Sequence, residues 1–295
     1  KMFTVSPFRR FRRFFRFFLL FWSLQVSGTG FCVLSHKRER EREREMNIAS
    51  ILNMAREYEA EKKKILNLHG IGDLEKSFEN KTFAGIEDLI LSQNKLKIDI
   101  PNCVLKAIDD LHSVLKINIS TNSIVCFQRV HLFTNLTKLV ASKNELRGNL
   151  EGLRTLSNLK SLDISHNPHL TSLQGLSINL EIICASNCSI DDASHVFHMK
   201  HLRILRLDHN KLKTFEEEEE QEVRLENLCE LDLSYNELTS VPSYSTVNLL
   251  NVLKLGHNTI QMIPSKWNFM KLHQIELHFN ELNKTCQDTE MLFKL

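Results

Sequence analysis

Residues 202–212 read LRILRLDHNKL and residues 228–238 read LCELDLSYNEL, two stretches that superpose position for position on one apolar frame ending in an asparagine. Seven more segments fit the same frame: IEDLILSQNKL (86–96), VLKINISTNSI (114–124), LTKLVASKNEL (136–146), LKSLDISHNPHL (159–170), LEIICASNCSI (180–190), LNVLKLGHNTI (250–260) and LHQIELHFNEL (272–282). The template is LxxLxLxxNxL. Its asparagine position is held by Asn94, Asn122, Asn144, Asn167, Cys188, Asn210, Asn236, Asn258 and Asn280, at separations of 28, 22, 23, 21, 22, 26, 22 and 22 residues. Such a period marks one small unit stacked repeatedly on itself. A weaker copy, ILNLHGIGDL at 65–74, starts the array.

The LxL core alternates apolar and polar residues, so each copy predicts a short strand with one buried face. One coil alone buries little. Stacking joins Leu205, Leu231, Leu253 and Ile275 into a continuous row, with roughly 1.5 to 3 kcal/mol of gross burial per side chain set against ordering entropy of similar total size. The asparagine serves a different need. Where the chain turns inward after the strand it leaves backbone groups that no strand pairs, and an amide both donates and accepts. Each buried group left unpaired would cost about 1 to 3 kcal/mol. Cys188 in this row reads as a small buried thiol in preference to a reactive or metal-binding one.

Five typed positions recurring nine times resemble the leucine-rich repeat family, in its short intracellular form of about 22 to 23 residues found in cytoplasmic Ras-pathway scaffolds. The resemblance spans residues 86 to 295. It implies an α/β fold: a solenoid curved into a horseshoe of about nine to ten repeats, with a concave parallel sheet that binds a protein partner. It implies no catalysis, no cofactor and no small-molecule substrate. Extracellular members of the family close their ends with cysteine-rich caps. The seven cysteines here are scattered singly without a CxxC pair, which points to a reducing compartment, the cytoplasm. Sequons such as Asn118-Ile-Ser120 and Asn187-Cys-Ser189 fall on strands or their edges and read as chance.

Side chains four, two and one positions before each asparagine are expected to point outward from the strands. In the first repeats these columns offer Ile90, Ser92, Asn118, Ser120, Val140 and Ser142, which give a partner little to grip. From Asn210 onward they carry Arg206, Asp208, His209, Asp232, Tyr235, Lys254, His257, Glu276, His278 and Phe279. Aromatic and charged groups on one rigid surface are the usual material of binding hot spots. Ordinary solvated strand residues are the plainer reading of the same columns.

Departures from the template should bulge away from the strands. The 28-residue repeat carries IDIPNCVLKAIDDLHSVL (98–115), long enough for two helical turns, and the 26-residue repeat carries the acidic run Glu216 to Glu220, a solvated face. Val241-Pro242 and Ile263-Pro264 mark extended return segments that cannot be helical. His195, His198 and His201 recur every three residues after Asp191 and Asp192, a spacing that on a helix could share a cation, although exposed helical histidines are mostly inert. No glycine-rich phosphate loop, HExxH or GxSxG occurs, and only 9 glycines are present.

Charge is uneven. Residues 1–45 hold 11 Lys and Arg against 4 Glu (+7), and the rest holds 27 against 32 (−5), so the array gives no electrostatic reason to expect nucleic acid or an anionic membrane. The first 45 residues include an Arg-rich start, an apolar run too short to cross a bilayer, and RERERERE at 38–45, the translation of an AGAGAG repeat. They read as translated leader ahead of Met46, with a signal peptide as the alternative. Residues 46–64 predict an amphipathic capping helix carrying Ile48, Ile51, Leu52, Ala55 and Tyr58 on one stripe. Residues 65–295 form the repeat domain. Its expected role is a scaffold or adaptor. The alternatives are a regulatory segment of a larger kinase, GTPase, phosphatase or ubiquitin ligase, and a secreted or membrane receptor ectodomain.

Overall fold

The computed structural model describes residues 64–282, apart from residues 73, 75–81, 98, 149, 217–224, 243–249 and 264–271. The chain divides into two units, 1–52 and 53–295, and every described residue belongs to the second. The leader expected over 1–45, most of the capping helix expected over 46–64, and Glu217 to Glu220 of the acidic run lie outside the described residues.

Each LxL core forms a three-residue strand: β1 (Ile65–Asn67), β2 (Asp88–Ile90), β3 (Lys116–Asn118), β4 (Lys138–Val140), β5 (Ser161–Asp163), β6 (Ile182–Cys184), β7 (Ile204–Arg206), β8 (Glu230–Asp232), β9 (Val252–Lys254) and β10 (Gln274–Glu276). They make one parallel sheet in chain order, so the protein is a leucine-rich solenoid, and the weaker copy at 65–74 supplies the first strand among the described residues. Register never slips. Leu205 lies opposite Leu231, Leu231 opposite Leu253, and Leu253 opposite Ile275. A shift of one residue would turn this apolar row outward. From Leu89 to Leu253 the central row is at most 1% exposed, and the row two residues later, Leu91 to Leu255, is fully buried.

Away from the strands, the described return segments include 3-10 turns at Val130–Leu132, Glu151–Leu153 and Ser194–His198, which set Val130, Leu153 and Val196 into the core. The 28-residue repeat contains helix α1 (Asn102–Ala107) and a separate 3-10 turn at Leu111–Ser113. The two expected helical turns are thus split, because Ile108 is extended and bridges Phe83 in parallel. Buried Asp99 pins this insertion by accepting from the backbone N–H groups of Ile100 and Arg129, while Arg129 Nη1 donates to the Ile100 carbonyl at 3.1 Å. Burial lifts the Asp99 carboxyl above the usual carboxylate range, against the lowering effect of those N–H groups.

The asparagine row works by bonding to backbone in two coils at once. Asn236 Nδ2 donates to Leu207 O at 2.9 Å in the preceding coil and to Leu233 O at 3.0 Å in its own, while its Oδ1 accepts from Leu212 N at 3.1 Å. Asn144, Asn210 and Asn258 repeat this three-way pattern. Asn280 keeps it at the last described coil. Asn94, Asn122 and Asn167 do so at the earlier ones, with Asn94 reaching Leu68 O and Asn167 reaching Ala141 O.

Cys188 shows why the row tolerates a thiol. Its Sγ donates weakly to Ile164 O at 3.5 Å and Ser186 O at 3.6 Å. No acceptor is required of it, because the longer turn of the preceding coil, Asn167-Pro168-His169-Leu170, pairs Leu170 N with Asn167 O at 3.0 Å. Burial pushes the Cys188 thiol up to about 11, so it stays protonated, consistent with a structural role.

A second ladder was not anticipated. Asn135, Asn158, Asn179 and Asn227 each donate Nδ2 one coil back, to the carbonyls of His112, Thr134, Ser157 and Lys200 at 2.7 to 3.3 Å. Each immediately precedes the leucine with which the template was made to begin.

Candidate functional site

The sheet gathers all ten expected contact residues on its outer face. Strand alternation turns Arg206, Asp232, Lys254 and Glu276 outward at the ends of β7 to β10, where they lie opposite one another in register. The residue just before each ladder position follows different rules. His209, Tyr235, His257 and Phe279 all have left-handed backbones, with φ between 54 and 57°, as do their counterparts from Gln93 to Asn187. That conformation costs a non-glycine residue about 1 to 2 kcal/mol. It is held because the N–H of His209, Tyr235 and His257 must reach the carbonyls of Ser234, Gly256 and His278 in the next coil, each at 2.9 Å.

The same turn aims the four rings at solvent in one column. His209 stacks on Tyr235 with centroids 4.0 Å apart, Tyr235 on His257 at 4.0 Å, and His257 on Phe279 at 4.3 Å. The aromatic residues of this column therefore form a continuous ring ladder. Tyr235 is 44% and Phe279 72% exposed, which is unusual for large apolar groups on a rigid surface. His278 adds an edge-on contact to His257 at 5.2 Å and leans over Gly256, where a Cβ would lie 2.7 Å from its Cε1. Glycine at 256 is thus what admits the His278 ring.

Charge flanks the ladder. Arg206 Nε donates to Glu230 Oε1 at 2.8 Å, and Lys254 Nζ lies 3.9 Å from Asp232 and 3.7 Å from Glu276. Burial raises the Asp232 carboxyl above its ordinary range, opposed by the backbone N–H and hydroxyl of Ser234, reinforced by the charge of Asp208, and opposed again by Lys254. Asp208 accepts from the Ser186 hydroxyl.

Two sequence expectations need correction. Ser234 and Ser92, placed outward by the column rule, are only 8% and 6% exposed. Their side chains are short enough to be covered by the neighbouring columns and are bonded there, Ser92 Oγ lying 2.7 Å from His69 Nδ1. The rule also missed the residue six before the asparagine, which alternation places on the same face. Glu230 and Gln274 stand there, Gln274 Nε2 donating to Glu276 Oε1 at 2.7 Å. The period-two signal was present in the sequence.

On the opposite side, His195 and His198 occupy the 3-10 turn Ser194–His198, and His201 lies in the turn beyond it, so no α-helix aligns the three. His195 and His198 border a cleft of roughly 200 Å³ with Asp192 and Glu216, but His195 Nε2 is within bonding distance, 3.1 Å, of the Leu176 carbonyl. Among the described residues no group of three or more His, Cys, Asp or Glu side chains is placed to hold a metal ion, and no helix is long and apolar enough to cross a membrane.

Family models for leucine-rich repeats match residues 134–177, as two copies, and residues 227–249. The chain is similar to human Toll-like receptor 6 (28% identity over 186 residues, 59% of this chain and 22% of the receptor). It is also similar to chaoptin of Drosophila melanogaster (32% over 222 residues, 70% and 16%) and to lumican of Bos taurus (33% over 130 residues, 43% and 37%). It therefore spans well under half the length of these relatives. Among solved structures, an internalin from Listeria monocytogenes matches at a TM-score of 0.56 with 20% identity, covering 67% of this chain and 55% of that one. The leucine-rich repeat domain of APL1B matches at 0.52 with 16% identity, covering 86% and 82%. These two likenesses establish the solenoid fold.

Proposed function

We propose that this leucine-rich repeat protein is an adaptor or scaffold that holds a protein partner on its sheet face between residues 204 and 279, without chemistry of its own. The observation that carries this reading is the four-ring ladder, His209 to Phe279, exposed on a surface whose backbone is tied coil to coil. Rigid aromatic side chains with mixed charges around them lose little conformational entropy on binding and exclude water at the centre of an interface. Hydrogen exchange tests the location. With a partner recovered by affinity capture on the full chain, amides of residues 206–209, 232–235 and 254–257 are expected to slow on binding. Protection confined to Ser194–His198 and α1 would place the partner on the opposite side and refute the proposal.

The proposed compartment is the cytoplasm, supported by the free thiols of Cys126, Cys184, Cys188 and Cys229. A receptor ectodomain is the second reading, favoured by the likeness to Toll-like receptor 6. The sequon Asn135-Leu-Thr137 separates them, since Asn135 is exposed. A shift in gel mobility of the cell-expressed protein on enzymatic glycan removal would support the ectodomain and exclude the cytoplasm.

A further inference from the structure

We infer that the partner enters this face as a protein segment carrying an arginine or lysine beside an apolar or aromatic residue, the cation seated on Asp208 and its neighbouring carboxylates and the apolar group on the ring ladder. The inference rests on the sheet face being the binding surface. It starts from the charge balance of that face between β5 and β10. Five carboxylates project there, Asp163, Asp208, Glu230, Asp232 and Glu276, against two cations, Arg206 and Lys254. Both cations are already engaged, Arg206 with Glu230 at 2.8 Å and Lys254 between Asp232 and Glu276.

Asp163 and Asp208 have no ion-pair partner among the described residues. Their contacts are to neutral donors, the Ser165 backbone N–H for Asp163 and the Ser186 hydroxyl for Asp208. Two groups embedded in the face register the resulting negative field. The Cys184 thiol is raised chiefly by burial and then by Asp163, Glu230 and Asp208, with Arg206 opposing. Asp232 is raised by burial and, in part, by Asp208. A cation delivered from outside would relieve this field, whereas an anion would add to it, and this separates a basic segment from a nucleic acid or an acidic one.

The ladder supplies the other half of the specificity. Its rings stack face to face along the array, so what it offers a partner is mainly ring edges, with Phe279 72% exposed and Tyr235 44%. Ring edges carry the positive part of the aromatic quadrupole and the faces the negative part. They suit aliphatic and aromatic groups better than cations. The cation is thereby directed off the ladder and onto Asp208, the chain neighbour of His209.

A random twelve-residue peptide library displayed on phage and selected on the full chain tests this. The expected pool is enriched in Arg or Lys next to an apolar or aromatic residue. A synthetic peptide from it should lose at least about tenfold in affinity on the double substitution Asp208→Asn with Asp232→Asn, while the protein's melting temperature holds. It should also weaken with added salt. Peptides that need Tyr235 and Phe279 but carry no basic residue would overturn the cationic inference and leave the face intact as the binding surface. Basic peptides indifferent to Tyr235 and Phe279, or a pool with no member that needs them, would overturn the underlying reading as well.

Discussion

Replacing Asn236 by alanine is expected to destabilise the protein by about 2 to 4 kcal/mol, while replacing Cys188, which holds the equivalent position two coils earlier, costs under about 1 kcal/mol. The difference lies in what each side chain leaves behind. Without the Asn236 amide, the carbonyls of Leu207 and Leu233 lose a donor and the Leu212 N–H loses its acceptor, at a site only 9% exposed. Each such orphan costs about 1 to 3 kcal/mol, partly recovered by water entering the gap. Around Cys188 the corresponding N–H, that of Leu170, is already bound to Asn167 O, and the thiol contributes only weak sulfur bonds. Urea denaturation of the two variants reads the gap directly. Equal midpoints would mean that the ladder register described above is wrong.

Gly152→Ala is expected to cost about 3 kcal/mol or more, a fall in melting temperature of about 6 to 12 °C for a domain of this size. Gly152 lies in the 3-10 turn Glu151–Leu153, and a Cβ added there would sit 1.8 Å from the Phe127 carbonyl oxygen and 2.8 Å from its carbon. The obstacle is the backbone of the preceding coil, so no rotamer change removes it and the two coils must separate. Gly148 provides the contrast. Its φ of +64° strains an alanine, but a Cβ there meets nothing within 4 Å. Gly148→Ala should therefore cost only about 1 to 2 kcal/mol. Because coils interact mainly with their neighbours, hydrogen exchange in Gly152→Ala should accelerate first between Phe127 and Leu156. A melting temperature equal to that of the parent protein would show that these coils are not packed as described.

The fold was legible because the template repeats two independent requirements, apolar residues at strand period and an amide three residues after the strand core ends. Either alone is common, and together at near-constant spacing they leave one architecture. The strip from Tyr235 through His257 to Phe279 was legible for the same reason, since constant register turns sequence columns into spatial ones. Where the reading fell short, the missing quantity was local geometry. Ser234 lies in an outward column and is nevertheless covered, because burial depends on the height of neighbouring side chains as well as on direction. Glu230 was overlooked because outward positions were counted back from the asparagine over too short a stretch. The left-handed turn at His209 and its equivalents could not be seen, since the residues there carry no glycine signal. The paired role of Cys188 and Leu170 depends on the additional residue at Asn167-Pro168-His169-Leu170, which the template treated only as a change in spacing.

The measurement that bears most directly on the ring ladder as the binding surface is the affinity of the captured partner for the double variant Tyr235→Ala with Phe279→Ala, read beside its melting temperature. Both rings point to solvent and make their described contacts with other rings of the ladder, so their loss should barely change stability. Affinity should fall by at least about 2 kcal/mol, roughly thirtyfold, as expected for hot-spot aromatics at the centre of an interface. Unchanged affinity with an unchanged melting temperature would contradict the assignment and move the partner off this face.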